Sequence, residues 1–322
     1  MKRHLLLFGV YPLGMTGGPR GVVVGPPDDM ASIGEALGGL AGDGPPLLVR
    51  LYVTFDGALE ATLDQVAQFA QIGGLVDLSL NFHDRGGDVE RWCAFVEQVV
   101  QRHGSQVGSI GVTNEANLVD VPFAPDGAYP NALEALVDGV IVAAETKRRV
   151  GATAALGFTT ASDTSPGAEP FWQRVVRRNG SAFSAAVDFA GLTMYPGGFE
   201  PQVFSATELR QRTTEMLTAY RAQLAIAAIA DTVPIRVCES GWPTGPGRSE
   251  EDQADTLRTI VETVAGLAGD LRITHFELFT LRDANGSGDD VFGHFGILRD
   301  DYTRKPAYDV LCRAIARAAD TR

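Results

Sequence analysis

The sequence predicts an α/β fold, a single-domain (β/α)8 TIM barrel over residues 1–322. Three observations carry this. Short β-branched or apolar runs alternate with longer segments at helical spacing, as βα units around a parallel sheet do. The runs number eight, and 322 residues is an ordinary size for one α/β barrel. Several runs also end in charged or polar residues, where a barrel gathers its functional groups.

The first run, His4–Val10, follows Lys2 and Arg3. Its apolar part, Leu5–Val10, is too short for the core of an export signal. Tyr11 and Pro12 stand where small cleavage-site residues would be, so it reads as a strand and a cytoplasmic location is expected. Leu47–Val53 is the second strand, followed by an amphipathic helix over Leu59–Ile72. Val76–Phe82 precedes a helix at Asp88–His103, and Val107–Thr113 precedes one at Asn131–Val150. Ala154–Thr159 and Val187–Tyr195 are the fifth and sixth strands, with a helix over Ala206–Ala230 after the latter. Ile235–Glu239 leads to a seventh helix, opened by a capping box of Ser249 and Asp252. Ile273–Thr280 is the eighth strand, and Pro306 suits the first turn of the closing helix. An open doubly wound sheet is the competing architecture. Gly17-Gly18 and Gly38-Gly39 lack the spacing of a dinucleotide fingerprint, so that reading falls away.

Apolar residues make up 45% of the chain, and mean hydropathy is +0.01. A net charge of −13 argues against a nucleic-acid partner and favours neutral ligands. No run approaches the roughly 20 apolar residues of a membrane span, so no membrane partner is expected. Cys93, Cys238 and Cys312 show no paired or metal-like spacing, and Cys93 and Cys312 fall on apolar helical stripes, which predicts buried thiols. In Asp283–Asp290 the acidic spacing is loosely that of a calcium loop, but His294 stands where the closing Glu belongs. A mobile rim loop is expected there instead.

The candidate site is organised around Ile235–Thr244, where a β-prone run delivers Glu239 onto a loop of Gly241, Trp242 and Pro243. Trp242 is expected to be exposed. A second carboxylate, Glu115 in Thr113-Asn114-Glu115-Ala116-Asn117, ends the fourth run. Two strand-end carboxylates across a barrel mouth repel each other, so they call for a chemical reason, and general acid–base work with a carboxylate nucleophile is the commonest one. Strand parity puts Arg50 on one face with Tyr52, His83 with Asn81, and Tyr195 with Thr193. Arg50 would be a buried cation needing a carboxylate, for which Glu239 is offered, and Tyr195 is placed to donate a hydrogen bond to Glu239. His275 and Glu277 share a face of the eighth strand and read as buried structural partners.

TNEAN at the fourth strand and CESGWPT at the seventh resemble the acid/base and nucleophile motifs of clan A of the glycoside hydrolases. VRLYVTFD, LNFHD, GLTMYPGG and the C-terminal FELFTLRDAN…FGHFGILRDDYTRKPAYDVL extend the resemblance over essentially the whole chain. ESGWPT is similar to the nucleophile turn of some β-1,3-glucanases, while the last stretch looks more like other families of the clan. The resemblance implies a retaining β-glycosidase without a cofactor, with Glu239 as nucleophile and Glu115 as acid/base. It implies that Asn114 bonds the sugar 2-hydroxyl, with Tyr195, Arg50, His83 and Tyr52 supporting. The chain departs from the clan at the end of the eighth strand, where Phe279 stands in place of the usual Trp. Either Phe279 substitutes as the sugar floor or the floor differs, and Trp242 is then the main aromatic candidate for a sugar platform. The expected partner is a neutral carbohydrate, and the protein is expected to act as a monomer. The alternatives are a catalytically silent carbohydrate-binding barrel, or a transglycosidase on the same site. A Schiff-base aldolase would need a lysine at a strand end, and Lys2, Lys147 and Lys305 do not lie at one.

Overall fold

A computed structural model of the chain describes residues 6–44, 46–55, 59–72, 74–164 and 169–319. His4 and Leu5 of the first expected strand lie outside these residues, as does Lys2. The eight expected strands form at β1 (Leu7–Val10), β4 (Leu48–Thr54), β5 (Leu75–Asn81), β6 (Ser109–Val112), β7 (Ala155–Ala161), β8 (Phe189–Thr193), β9 (Ile235–Ser240) and β10 (Ile273–Leu278). Their order is β1-β10-β9-β8-β7-β6-β5-β4, a closed barrel. Parallel register aligns Leu7 with His275 across β1 and β10, and Gly9 with Leu48 across β1 and β4. Most residues of these strands are buried, so they read as continuous apolar runs rather than alternating ones.

By internal contacts the chain divides into two compact units. One comprises Met1–Val49, Met194–Met216 and Val237–Arg322, and the other Arg50–Thr193 and Leu217–Arg236. The first holds β1, β10, β9 from Val237 onward and the Glu239 loop. The second holds β5 to β8 and Glu115.

The helices follow the apolar spacing. In α3 (Val89–His103) the buried residues are Trp92, Phe95, Val96, Val99 and Val100, and Asp88 caps the helix by accepting from the Arg91 N–H. The capping box of Ser249 and Asp252 opens α7 (Glu250–Leu267), and Pro306 is the first residue of α8 (Pro306–Ala319). The helix after β8, α6, runs Ala206–Ile226 and stops short of Ala230, because Ala228 turns left-handed at φ 57° and the Ile229 N–H bonds back to the Leu224 carbonyl. Among the described residues no helix is long and apolar enough to cross a membrane.

Three elements have no counterpart among the named expectations. A two-stranded hairpin, β2 (Met15–Gly18) with β3 (Gly21–Val24), follows β1. The helix α1 (Met30–Ala41) contains three glycines, which lower helix propensity, yet it buries Ile33, Ala36, Leu37 and Leu40 at helical spacing. Packing outweighs propensity there. The third, α5 (Glu169–Ala186), is kinked at Asn179 (φ −168°, ψ 51°).

Candidate active site

Glu239 lies within β9 and is 6% exposed. Its carbonyl accepts from the Met194 N–H at 2.9 Å, so the end of β8 is tied to the residue itself. The Tyr195 hydroxyl donates to Oε2 of Glu239 at 2.8 Å, the bond expected of a tyrosine that ends the neighbouring strand. A hydrogen bond to a charged acceptor of this kind stabilises by about 1.5–3 kcal/mol. Directly after Glu239 the backbone of β9 closes on β10. A Cβ at Gly241 would lie 2.1 Å from the Phe279 carbonyl oxygen, so only glycine permits that approach.

Phe279 is 7% exposed and belongs to an aromatic cluster beside Tyr195. Its ring stacks on Tyr11 at 5.7 Å and meets Tyr195 and Phe295 edge-on at 6.1 and 5.5 Å. Burial pushes the Tyr11 hydroxyl pKa well above its ordinary value, and the negative charges of Asp28 and Glu239 add to the effect. Tyr11 therefore stays a neutral phenol beside the carboxylate.

Trp242 corrects an expectation. It is 2% exposed, its indole N–H donates to the Gly197 carbonyl at 3.0 Å, and the Arg248 guanidinium lies 4.9 Å from the ring centroid. The loop's backbone is held as well, since the Gln253 side chain donates to the Trp242 carbonyl at 2.9 Å. A ring with these neighbours and no exposed face anchors the loop; it is not an open platform.

Glu115 sits in a distorted backbone. Thr113 (φ 66°) and Glu115 (φ 56°) are both left-handed, a conformation that costs non-glycine residues on the order of 1–3 kcal/mol each. Three ties hold it. The Glu115 N–H donates to the Thr159 carbonyl at 3.0 Å, and the Thr193 hydroxyl donates to Glu115 Oε1. Asn117 exchanges two side-chain bonds with the backbone of Ala161, at 2.8 and 2.9 Å.

The keystone of this loop is Asp126, fully buried in a short 3-10 turn. One of its oxygens, Oδ2, accepts from the Asn114 N–H and from the Phe82 N–H, both at 2.9 Å. Burial pushes its carboxyl pKa up, while His83 and the two backbone donors pull it down. His83 thus has a place: Nε2 is 3.1 Å from the Ala124 carbonyl and 3.4 Å from Asp126 Oδ1, and the ring stacks on Tyr129 at 4.6 Å.

Arg50 is 1% exposed and pairs with Asp77 at 2.7 Å. It also donates to Ser79 at 3.2 Å, to Asn114 Oδ1 at 3.5 Å and, through Nε, to the Tyr52 hydroxyl at 3.0 Å. Asn114 and Tyr52, both singled out in the sequence, are therefore oriented by one guanidinium. Asp77 is a carboxylate that the sequence reading did not name. Its signal was a charged residue inside the apolar strand that carries Ser79 and Asn81. Asp126, in a loop rich in Pro and Gly, gave none.

Other expectations resolve more simply. Glu277 and His275 are buried, at 0% and 8% exposure. Cys93 and Cys312 are half-buried rather than buried, because each sits at the edge of its helix's apolar stripe; burial still pushes the Cys93 thiol up to about 11. The loop read as mobile is tied down: Asp300 accepts from the Gly286 N–H at 2.9 Å, His294 Nε2 lies 2.8 Å from the Gly288 carbonyl, and Arg20 pairs with Asp290 at 3.1 Å.

No family model matches the chain, and no curated protein sequence matches it. Solved structures do share its fold. The glucosidase from Croceicoccus marinus is similar with a TM-score of 0.65 at 15% identity, over 99% of this chain and 68% of its own. The β-glucosidase from Exiguobacterium marinum gives 0.62 at 14% identity, over 97% and 98%. The glycoside hydrolase family 17 β-1,3-glucanosyltransferase from Rhizomucor miehei gives 0.59 at 16% identity, over 94% and 96%. At these identities the likeness establishes the (β/α)8 barrel.

Proposed function

We propose that this chain is a retaining β-glycoside hydrolase acting on a neutral carbohydrate. The reading rests on one observation. The hydroxyls of Thr193 and Tyr195, two residues apart at the end of β8, donate to Glu115 and Glu239 respectively. Each carboxylate is thus held by its own hydroxyl donor from the segment that ends β8. Paired carboxylates at the C-terminal ends of barrel strands suit glycoside hydrolysis, and the solved structures named above, themselves glycosidases and a glucanosyltransferase, support the same class.

In the proposed reaction Glu239 attacks the anomeric carbon while the protonated Glu115 donates to the departing oxygen. The covalent glycosyl-enzyme is then hydrolysed by water, with Glu115 as base. Tyr195 orients the nucleophile. Asn114, held between Arg50 and the Asp126 turn, is the proposed partner of the sugar 2-hydroxyl. Phe279, stacked on Tyr11, is the proposed sugar floor. Retention calls for a carboxyl separation of about 5–5.5 Å.

The test is a panel of 4-nitrophenyl β-glycosides and common β-glucans, assayed with the wild type and Glu239→Ala. Turnover by the wild type, loss in the variant and azide rescue to an inverted glycosyl azide are expected. A wild type that turns over no member of the panel overturns the reading.

A further inference from the structure

Phe199 is 53% exposed, yet the loop that carries it is fixed. The Trp242 indole donates to the Gly197 carbonyl at 3.0 Å. The Arg248 guanidinium donates to the Gly198 carbonyl at 2.7 Å and also to the Glu200 carbonyl. Single exposed apolar residues are ordinary, but this one has organised support. Its ring lies 5.6 Å from Phe292 at an interplanar angle of 27° and 5.2 Å from Tyr195. Phe292 is backed in turn by the hairpin: the Thr16 hydroxyl donates to its carbonyl at 2.7 Å, and a Cβ at Gly18 would stand 2.6 Å from its ring. A supported aromatic face is thus presented to solvent one ring away from the phenol that holds Glu239.

The chemistry of the surroundings narrows what such a face can take. The carbonyls of this loop already accept from Trp242 and Arg248, so the loop offers a stacking surface more than hydrogen bonds. Glu200 adjoins Phe199 and is matched by Arg212 at 2.7 Å, and Asp290 is matched by Arg20. The Arg248 guanidinium is engaged by the Gly198 and Glu200 carbonyls, and with Glu239 beyond Tyr195 the surroundings favour a neutral group over an anionic one. We infer that Phe199, backed by Phe292, is the platform for a neutral aromatic aglycone on the glycoside whose anomeric carbon Glu239 attacks. This inference rests on the hydrolase reading above. In the first step the bond between the anomeric carbon and the aryl oxygen breaks and its electron pair stays on that oxygen. The oxygen takes the proton from Glu115, and the aglycone leaves as a neutral phenol from the Phe199 face.

The experiment compares 4-nitrophenyl and methyl β-glycosides of glucose, galactose, xylose and mannose, using wild type, Phe199→Ala and Phe199→Leu. The ratio of kcat/KM on the aryl substrate to that on its methyl counterpart cancels effects common to both. Stacking of this kind predicts that the ratio falls about 10-fold in Phe199→Ala. Phe199→Leu, which keeps apolar bulk and a comparable Tm but has no ring face, should fall between. An unchanged ratio overturns the platform, whether activity is retained or lost equally on both substrates. If the wild type hydrolyses neither series, the hydrolase reading fails by itself, and titration calorimetry with the same compounds decides. Aryl glycosides that bind more tightly than methyl ones, with the preference lost in Phe199→Ala, support the platform; no binding by any aryl glycoside overturns it.

Discussion

The Tyr195 hydroxyl donates to Oε2 of Glu239 at 2.8 Å, and the same residue's ring packs against Phe199, Phe279 and Phe295. The phenol thus has little freedom to donate elsewhere, and its rotamer is set by apolar neighbours. Tyr195→Phe keeps that packing and removes only the hydroxyl. Losing one bond to a charged acceptor, at about 1.5–3 kcal/mol, predicts a fall in kcat of roughly 10- to 150-fold with a smaller change in KM. The thermal midpoint should stay near that of the wild type. Unaltered kcat in this variant would remove Tyr195 from the proposed mechanism.

Asp126 tests whether the loop before Glu115 is positioned from below. Its Oδ2 holds two backbone N–H groups at once, from Phe82 and Asn114. Asp126→Asn keeps one oxygen there and should retain kcat within about threefold. Asp126→Ala leaves both donors buried without a partner, at about 1–3 kcal/mol each, and lets the left-handed turn relax. We expect kcat to fall at least 10-fold in the alanine variant with little change in KM, and the asparagine variant to separate positioning from general loss of stability. Equal loss in both would show that charge on Asp126, not acceptor geometry, matters.

The contrast between Tyr195 and Asp126 explains what was legible in the sequence. Strand residues obey a period of two, so the eight strands and the face shared by Thr193 and Tyr195 follow from local pattern. The Tyr195–Glu239 bond joins adjacent strand ends and could be anticipated. Asp126, Thr193 and Asp77 act on Asn114, Glu115 and Arg50 across 12, 78 and 27 residues, through loops and register that no local period encodes. Trp242 misled for a related reason: glycines and prolines around an aromatic say that a loop forms, but not which side of the ring the protein covers. The hairpin at Met15–Val24 has strands of only four residues each, too short to give a periodic signal.

Trp242→Phe distinguishes an anchor from a platform. The variant leaves the buried Gly197 carbonyl without its donor and weakens the contact with Arg248. A stability loss of about 1–3 kcal/mol in urea denaturation is expected. Because the indole has no open face, KM should change less than twofold. A tenfold rise in KM at unchanged stability would restore the sugar-platform reading.

Lys305 and Asp283 make a buried pair at 2.8 Å, with side-chain exposures of 2% and 4%, and Lys305 also donates to Thr244 in the Glu239 loop at 3.0 Å. Burial pushes the Asp283 carboxyl pKa up and the Lys305 amine down, each tempered by the opposite charge. Lys305→Met removes the tempering charge and leaves a buried carboxylate, so at pH 7 it should destabilise the fold by about 3–5 kcal/mol. The pH dependence has a definite sign. A carboxyl whose folded pKa lies above its unfolded value, about 3.9, favours the native state when protonated. Its contribution is complete below the unfolded pKa and is lost as pH rises through the folded one, so the variant's deficit should narrow as pH falls from 7 toward 4. Adding Asp283→Asn keeps an acceptor for the Gly296 N–H, which Asp283 Oδ1 now receives at 2.9 Å, and removes the orphaned charge. The double variant should recover much of the deficit at pH 7 and lose its pH dependence. Urea denaturation at pH 7 and pH 4.5 measures both effects, and a deficit that widens on acidification would contradict a raised Asp283 pKa.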